Sequence, residues 1–254
     1  MRARTKRKPR RKLPLRLRLF IFLCLGLCLS LCLYFILSLP IWRISEVVVS
    51  GARLLSAEEI KDLSGVPLNE NLFLTSFGRV RANLRRITAI KSFRIFRLPP
   101  GTVYIKIDER QPAAVVVLRD KSAIIDEAGF VLNRTPGLTL NVTNLPDLPV
   151  VSGVALTDVS ADGQINPHLS RLISDIIVDL TKLLGSPRIQ LETGGFERVT
   201  FMLDDILKVK LGRDEEVRRK MEVFKTLLKV IEGKWNTVEY VDVRYPDNPV
   251  IKYK

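Results

Sequence analysis

Cysteine is missing from all but one short stretch of this 254-residue chain, where Cys24, Cys28 and Cys32 stand at i, i+4 and i+8. Residues 33–254 therefore hold neither a disulfide framework nor a cysteine metal site, and their stability has to come from burial. Histidine is scarcer still, with His168 alone. A Ser-His-Asp or Cys-His arrangement would have to use it as the base, yet it follows Pro167 at the start of a predicted helix, where an exposed side chain is expected. No H-E-x-x-H occurs, nor any S-x-x-K after the apolar run, which removes common zinc-peptidase and penicillin-binding signatures. Paired acids do occur, at Asp108-Glu109, Asp204-Asp205 and Glu215-Glu216. A glycosidase needs two carboxyls facing across a cleft, whereas these read as a strand end, a turn and a helix start, where solvated acids belong. No catalytic residue, cofactor or metal ligand is assigned, and the chain reads as not an enzyme.

Acid is absent from the first 18 residues, which carry ten cations: Arg2, Arg4, Lys6, Arg7, Lys8, Arg10, Arg11, Lys12, Arg16 and Arg18. The other 236 residues hold 31 Lys and Arg against 27 Asp and Glu, so most of the formal charge of +14 belongs to the tail. The tail reads as a topology signal or as a patch for nucleic acid or acidic lipid, and its lack of interleaved aromatics favours the signal. Leu19 to Leu39 is then free of charge, and 21 residues at ~1.5 Å each span the ~30 Å hydrocarbon layer. The run exceeds the ~7–15 residues of a signal-peptide core, and Leu39-Pro40-Ile41-Trp42 offers no cleavage site. Arg10-Arg11 lacks the context of a twin-arginine signal. A transmembrane helix is predicted over 19–41, with the tail of 1–18 cytoplasmic and Trp42 at the outer interface. The cysteine stripe beside Gly26 is ordinary helix surface, or a close-packing face for another such helix.

Short strands and amphipathic helices follow. A strand is predicted over Ile44 to Ser50, ended by Gly51. A helix starts at Ser56, whose oxygen and Glu59 form a capping box, and runs to about Leu63. Val80, Leu84 and Ile87 recur at helical spacing among Arg79, Arg81, Arg85 and Arg86. Ile90 to Leu98 and the alternating Val103, Ile105 and Ile107 form a hairpin about Pro99-Pro100-Gly101. Ala123 to Leu132 reads as strand, turn, strand. Asn166 caps a helix that has Pro167 at its first position and Gly185 as its stop. Arg198 to Leu203 and Ile206 to Leu211 form a hairpin about Asp204-Asp205. Asp214, Glu215 and Glu216 fill the first turn of a helix ending at Gly233. The last strands are Val238 to Tyr245 and Val250 to Tyr253, with a sheet edge nearby.

The order β-α-α-β-β, with Val47-Val48-Val49-Ser50-Gly51, Glu59-Ile60, Asn71-Leu72-Phe73, Pro99-Pro100-Gly101-Thr102 and Glu109-Arg110-Gln111-Pro112, resembles a POTRA domain over 42–112. Val209-Lys210-Leu211-Gly212, Lys220-Met221 and Glu239 to Tyr245 follow behind the single anchor. The whole resembles the FtsQ (DivIB) family of bacterial cell-division proteins. The fold class implied is α+β: an N-terminal transmembrane helix, a POTRA domain, and a second mixed α/β module over 113–254 with an antiparallel-rich sheet. The chain departs from the family in ending directly after the last strand, which leaves tail-borne contacts in doubt.

The resemblance implies a non-catalytic scaffold of the divisome at the septum, in the bacterial cytoplasmic (inner) membrane, its C-terminal domain periplasmic or extracellular. It implies that Tyr245, Val250, Ile251 and Tyr253 take up FtsB of the FtsB-FtsL pair by strand addition. The two tyrosines either anchor that partner or pack their own sheet. Arg79, Arg81, Arg85 and Arg86 form a recruitment face for an early division protein such as FtsK, a contact for anionic lipid or glycan acids, or a solvated helix face. Two rival functions remain at this point: a POTRA-bearing envelope chaperone and a membrane-anchored envelope enzyme.

Overall fold

The computed structural model describes residues 14–119, 121–141, 147–194 and 197–254. The tail cations from Arg2 to Lys12 lie outside these residues, while Arg16 and Arg18 are exposed on the first helix. That helix, α1, spans Leu15–Leu37, so it begins and ends earlier than predicted. Arginine is a good helix former, so the helix extends back over both cations to Pro14. Pro40 stops it at the other end by holding Leu39 extended at φ −61°, ψ 145°. Residues Arg16–Leu37 are long and apolar enough to cross a membrane.

Two units make up the chain. One runs to Val47 and adds Pro67–Ser76 and Phe96–Val103; the other comprises Val48–Val66, Phe77–Ile95 and Tyr104–Lys254. In the first unit Ile44 and Leu72 are fully buried. Their segments are joined by the Ile44 N–H donating to Glu70 O at 2.8 Å and the Leu72 N–H donating to Trp42 O at 2.7 Å.

After α1 come β1 (Glu46–Ser50), α2 (Ala57–Ser64), α3 (Gly78–Arg86), β2 (Ile90–Leu98) and β3 (Thr102–Glu109), in the predicted order, and the sheet runs β1-β3-β2. Ile60 of α2 and Val80 and Leu84 of α3 are buried, as are Val103, Ile105 and Ile107 at alternate positions of β3. The predicted capping box does not form: Ser56 precedes α2 without a side-chain cap bond. Glu59 instead accepts from the Thr139 N–H at 3.3 Å, so a tertiary donor wins the carboxylate that local spacing had assigned to the helix start.

The second module contributes β4 (Ala114–Leu118), β5 (Lys121–Ile125), β6 (Val150–Ser152), α4 (Pro167–Leu184), β7 (Ile189–Glu192), β8 (Val199–Leu203), β9 (Leu207–Gly212), α5 (Val217–Val230), β10 (Val238–Asp242) and β11 (Val250–Tyr253). Its sheet runs β11-β10-β9-β8-β7-β6-β4-β5. Four of the seven neighbouring pairs are antiparallel; β9–β10, β6–β7 and β4–β6 are parallel. Val199, Phe201, Leu203, Leu207, Val209 and Leu211 bury one face of this sheet. The Phe201 ring meets Phe224 of α5 edge-on at 5.3 Å. α4 adds Leu169, Leu172, Ile173, Ile176 and Leu180 to the same core.

Two further expectations change in this module. Phe130 to Leu132 does not complete a hairpin: Val131 makes an isolated bridge to Ile125, and Leu132–Arg134 turns into a 3-10 helix. Asp214, Glu215 and Glu216 precede α5 instead of filling its first turn, because Glu216 adopts a left-handed conformation at φ 52° as the N-cap. Lys220, one turn into α5, is buried, and its Nζ donates to Arg213 O at 2.8 Å. Burial lowers its pKa, against the opposing pull of Glu215, Glu216 and Asp214.

Candidate partner-binding edge

Val238, Val241 and Val243 are fully buried, and the spacing of three between the first two falls where the pairing with the next strand shifts register between Val238 and Tyr240. β10 therefore lies flat on the core, paired in parallel with β9. The predicted strand to Tyr245 stops at Asp242. The Val243 N–H still reaches Lys210 O at 3.0 Å, and then Arg244 folds back. Its N–H donates to Asp242 Oδ1 at 3.1 Å, and its guanidinium donates to the same carboxylate at 2.7–3.0 Å. The stem of Arg244 lies over Gly212, where φ is +70° and an added Cβ would come within 2.8 Å of Arg244 Cγ. Gly212 thus answers two demands at once, a left-handed backbone and a close approach.

Burial pushes the Asp242 carboxyl up, but its hydrogen bonds from Arg244 and the charges of Arg244 and Lys210 outweigh this and hold it below its ordinary value of 3.8. A carboxyl depressed in the folded state stabilises above its unfolded value and loses that contribution as pH falls through its folded value. Asp242→Asn is expected to flatten the acid limb of stability below about pH 4, read as urea midpoints across a pH series. An acid limb as steep as the wild type's would refute this.

β11 returns antiparallel to β10, pairing Tyr253 with Val238, Lys252 with Tyr240, Ile251 with Val241 and Val250 with Asp242. The Lys254 N–H donates to Thr237 O at 2.9 Å, which makes Tyr253 and Val238 a non-hydrogen-bonded pair. By the period-2 alternation, the N–H and C=O groups of Ile251 and Tyr253 face away from β10. β11 ends the sheet. Among the four residues expected at this edge, Tyr245 (72% exposed), Val250 (53%) and Tyr253 (52%) are open to solvent. Ile251 packs partly into the core. Tyr245 stands beyond β10, in the loop to β11, where the Asn248 N–H donates to Tyr245 O at 3.0 Å and Asp247 pairs with Arg219 of α5.

The same surface holds residues that sequence reading had not assigned to it. The Lys210 ammonium sits 3.5 Å above the Tyr240 ring and Lys252 lies 5.6 Å from it. Lys252 is raised in pKa by Glu239, which accepts its Nζ at 2.8 Å. The register sets Tyr240 of β10 between Lys208 of β9 and Lys252 of β11, a placement that can be read only once the strand order is known.

Arg79, Arg81, Arg85 and Arg86 are all exposed on α3. Arg85 and Arg86 border a cavity of ≈460 Å³ with Arg110 and Arg134. Arg110 donates to Thr88 O at 3.0 Å and to Asp126 at 2.8 Å, and stacks on Phe130 at 3.8 Å. His168 is exposed and stands 3.5 Å from Asp214. Both border an open groove of ≈880 Å³ between α4 and α5, lined by charges of both signs. Asp204 and Asp205 form the β8–β9 turn and hold Arg188 and Gln190. Glu109 differs from the solvated acid expected of it: it is buried, 6% exposed, because loop amides need its oxygens. Among the described residues no cluster of three or more His, Cys, Asp or Glu gathers as metal ligands.

Residues 42–110 match the family model described as POTRA domain, FtsQ-type, and residues 114–244 match the one described as Cell division protein FtsQ/DivIB, C-terminal. Over 218 residues the chain is 24% identical to a cell division protein FtsQ of Streptomyces bingchenggensis, covering 83% of this chain and 76% of that one. The cell division protein FtsQ of Corynebacterium glutamicum is 21% identical over 200 residues, 78% of this chain and 84% of its own. The cell division protein DivIB of Clostridium acetobutylicum is 25% identical over 222 residues, 84% of each.

Proposed function

Since this chain belongs to the FtsQ/DivIB family of cell division proteins, we propose that it is a non-catalytic divisome scaffold whose edge strand β11 takes up FtsB of the FtsB-FtsL pair. The observation that carries the reading is a strand at the end of an eight-stranded sheet, with no neighbouring strand on its outer side among the described residues and with Val250 and Tyr253 exposed along it. Such an edge offers N–H and C=O groups that a partner strand completes. Aromatic side chains beside it bury large areas at small entropic cost. α1 holds the protein in the cytoplasmic membrane with its basic tail inside and residues 43–254 outside, at the division septum. The arginine face of α3 recruits an early division protein such as FtsK.

The test is binding of the full chain, in detergent, to a soluble FtsB-FtsL pair. Wild type is expected to bind at micromolar concentration or tighter, and Tyr245→Ala and Val250→Glu are each expected to weaken binding by about tenfold. Unchanged affinity in both variants would move the interface elsewhere. No wild-type binding would remove this partner.

A further inference from the structure

The end of α1 is closed by its own protein. Ser38 Oγ donates to Tyr34 O at 2.7 Å, the Trp42 indole to Ile36 O at 2.8 Å, and Asn71 Nδ2 to Leu37 O at 2.7 Å. The Ser38 N–H reaches Phe35 O at 3.2 Å. The last four carbonyls of the helix thus have protein donors, as a helix end requires where water is scarce. Asn71 belongs to the loop of residues 67–76, so this loop sits at the level where the apolar helix stops. Trp42 stacks edge-on against Phe73 of the same loop at 5.3 Å.

The third segment of this unit, residues 96–103, joins the same place. The Ser45 N–H donates to Gly101 O at 2.9 Å, and Arg97 Nη2 donates to Thr75 O at 2.7 Å. On these three segments large apolar side chains stand in the open: Ile41 at 62%, Leu68 and Leu74 at 53%, Leu98 at 45% and Phe96 at 43%. Scattered apolar residues on a soluble surface call for no explanation, but a set gathered around the end of a membrane-length helix does. The charges of these segments cancel, Arg43 and Arg97 against Glu46 and Glu70. The surface is therefore suited to the acyl and headgroup boundary more than to an anionic headgroup array.

We propose that these three segments form a lipid-docking surface: Ile41, Leu68, Leu74, Phe96 and Leu98 enter the outer leaflet beside α1. This unit is then seated on the bilayer by side-chain insertion as well as by its covalent tether. The inference rests on α1 spanning the membrane and is independent of the FtsB-FtsL reading.

The experiment uses the full chain with Cys24, Cys28 and Cys32 changed to serine, reconstituted in phosphatidylcholine vesicles. Single cysteines at Leu74→Cys, Leu98→Cys, Lys225→Cys and Ser30→Cys carry an environment-sensitive NBD label. Positions 74 and 98 lie on separate segments, so each checks the other, and circular dichroism verifies the fold of every variant. A shallow doxyl-lipid quencher is expected to quench positions 74 and 98 at least about twofold more than 225, as groups ~5–10 Å below the headgroups would be. Iodide in the water is expected to quench 225 alone, and adding anionic lipid to change nothing. If label 30 responds to lipid-borne quencher and labels 74 and 98 respond only to iodide, α1 spans but docking is wrong. Shielding of 74 and 98 from iodide without lipid quenching would mean that a second copy of this chain covers the surface, and docking is wrong. If label 30 shows no lipid quenching, the span and the docking fall together.

Discussion

Replacing Glu109 by alanine is expected to remove about 3–6 kcal/mol of stability, a large part of the ~5–15 kcal/mol that a domain of this kind has. The carboxylate sits at the end of β3 and accepts the N–H groups of Arg53 at 3.0 Å, Leu54 at 2.9 Å and Leu55 at 3.1 Å. These amides belong to the irregular loop between β1 and α2, where no ladder supplies acceptors. The side chains of Leu54 and Leu55 are buried, so the loop cannot turn its amides outward to find water. Truncation at 109 strands two buried donors, each at about 1–3 kcal/mol, and loses the bond to Arg53 as well. Glu109→Gln keeps one carbonyl oxygen but presents an amide nitrogen to a second N–H, so it should fall between wild type and alanine. The measurement is the urea midpoint followed by far-ultraviolet circular dichroism. A loss below about 1 kcal/mol for Glu109→Ala would mean that these bonds add nothing beyond what water supplies.

What could be read from the sequence was whatever local chemistry decides. Asn166 accepts the His168 N–H, Pro167 opens α4 and Gly185 ends it. The β8–β9 turn takes positive φ at both Asp204 and Asp205, a conformation aspartate tolerates, between strands whose alternation fixes their register. What could not be read was decided by partners distant in sequence. Glu59 has the spacing of a capping box, but Thr139, 80 residues away, takes its oxygen. Glu109 looks like any acid at a strand end until a loop more than 50 residues earlier is folded onto it. Lys220 and the acids before α5 give a pattern of solvated charge, and only packing buries the lysine. The candidate edge divides in the same way. Tyr245, Val250, Ile251 and Tyr253 came from resemblance, and their order along the chain gave no hint that Ile251 turns partly into the core while Tyr253 does not.

That division frames the second large effect, since strand addition is a claim about backbone and should answer to a backbone change. The N–H of Tyr253 points away from β10, while the neighbouring Lys254 N–H makes the bond to Thr237 O. Proline at 253 removes an outward donor and leaves the pairing with β10 in place, as proline does on edge strands. Tyr253→Pro is therefore expected to weaken FtsB-FtsL binding by about a hundredfold, the loss of one main-chain bond together with an aromatic anchor. Tyr253→Val separates the two contributions, because it keeps the N–H and the strand preference while deleting the ring. If binding proceeds by strand addition, the valine variant should retain about tenfold more affinity than the proline variant, a gap of ~1.4 kcal/mol that matches one hydrogen bond. Equal losses in the two variants would mean that the tyrosine ring alone is recognised and that β11 keeps its outer edge unpaired in the complex.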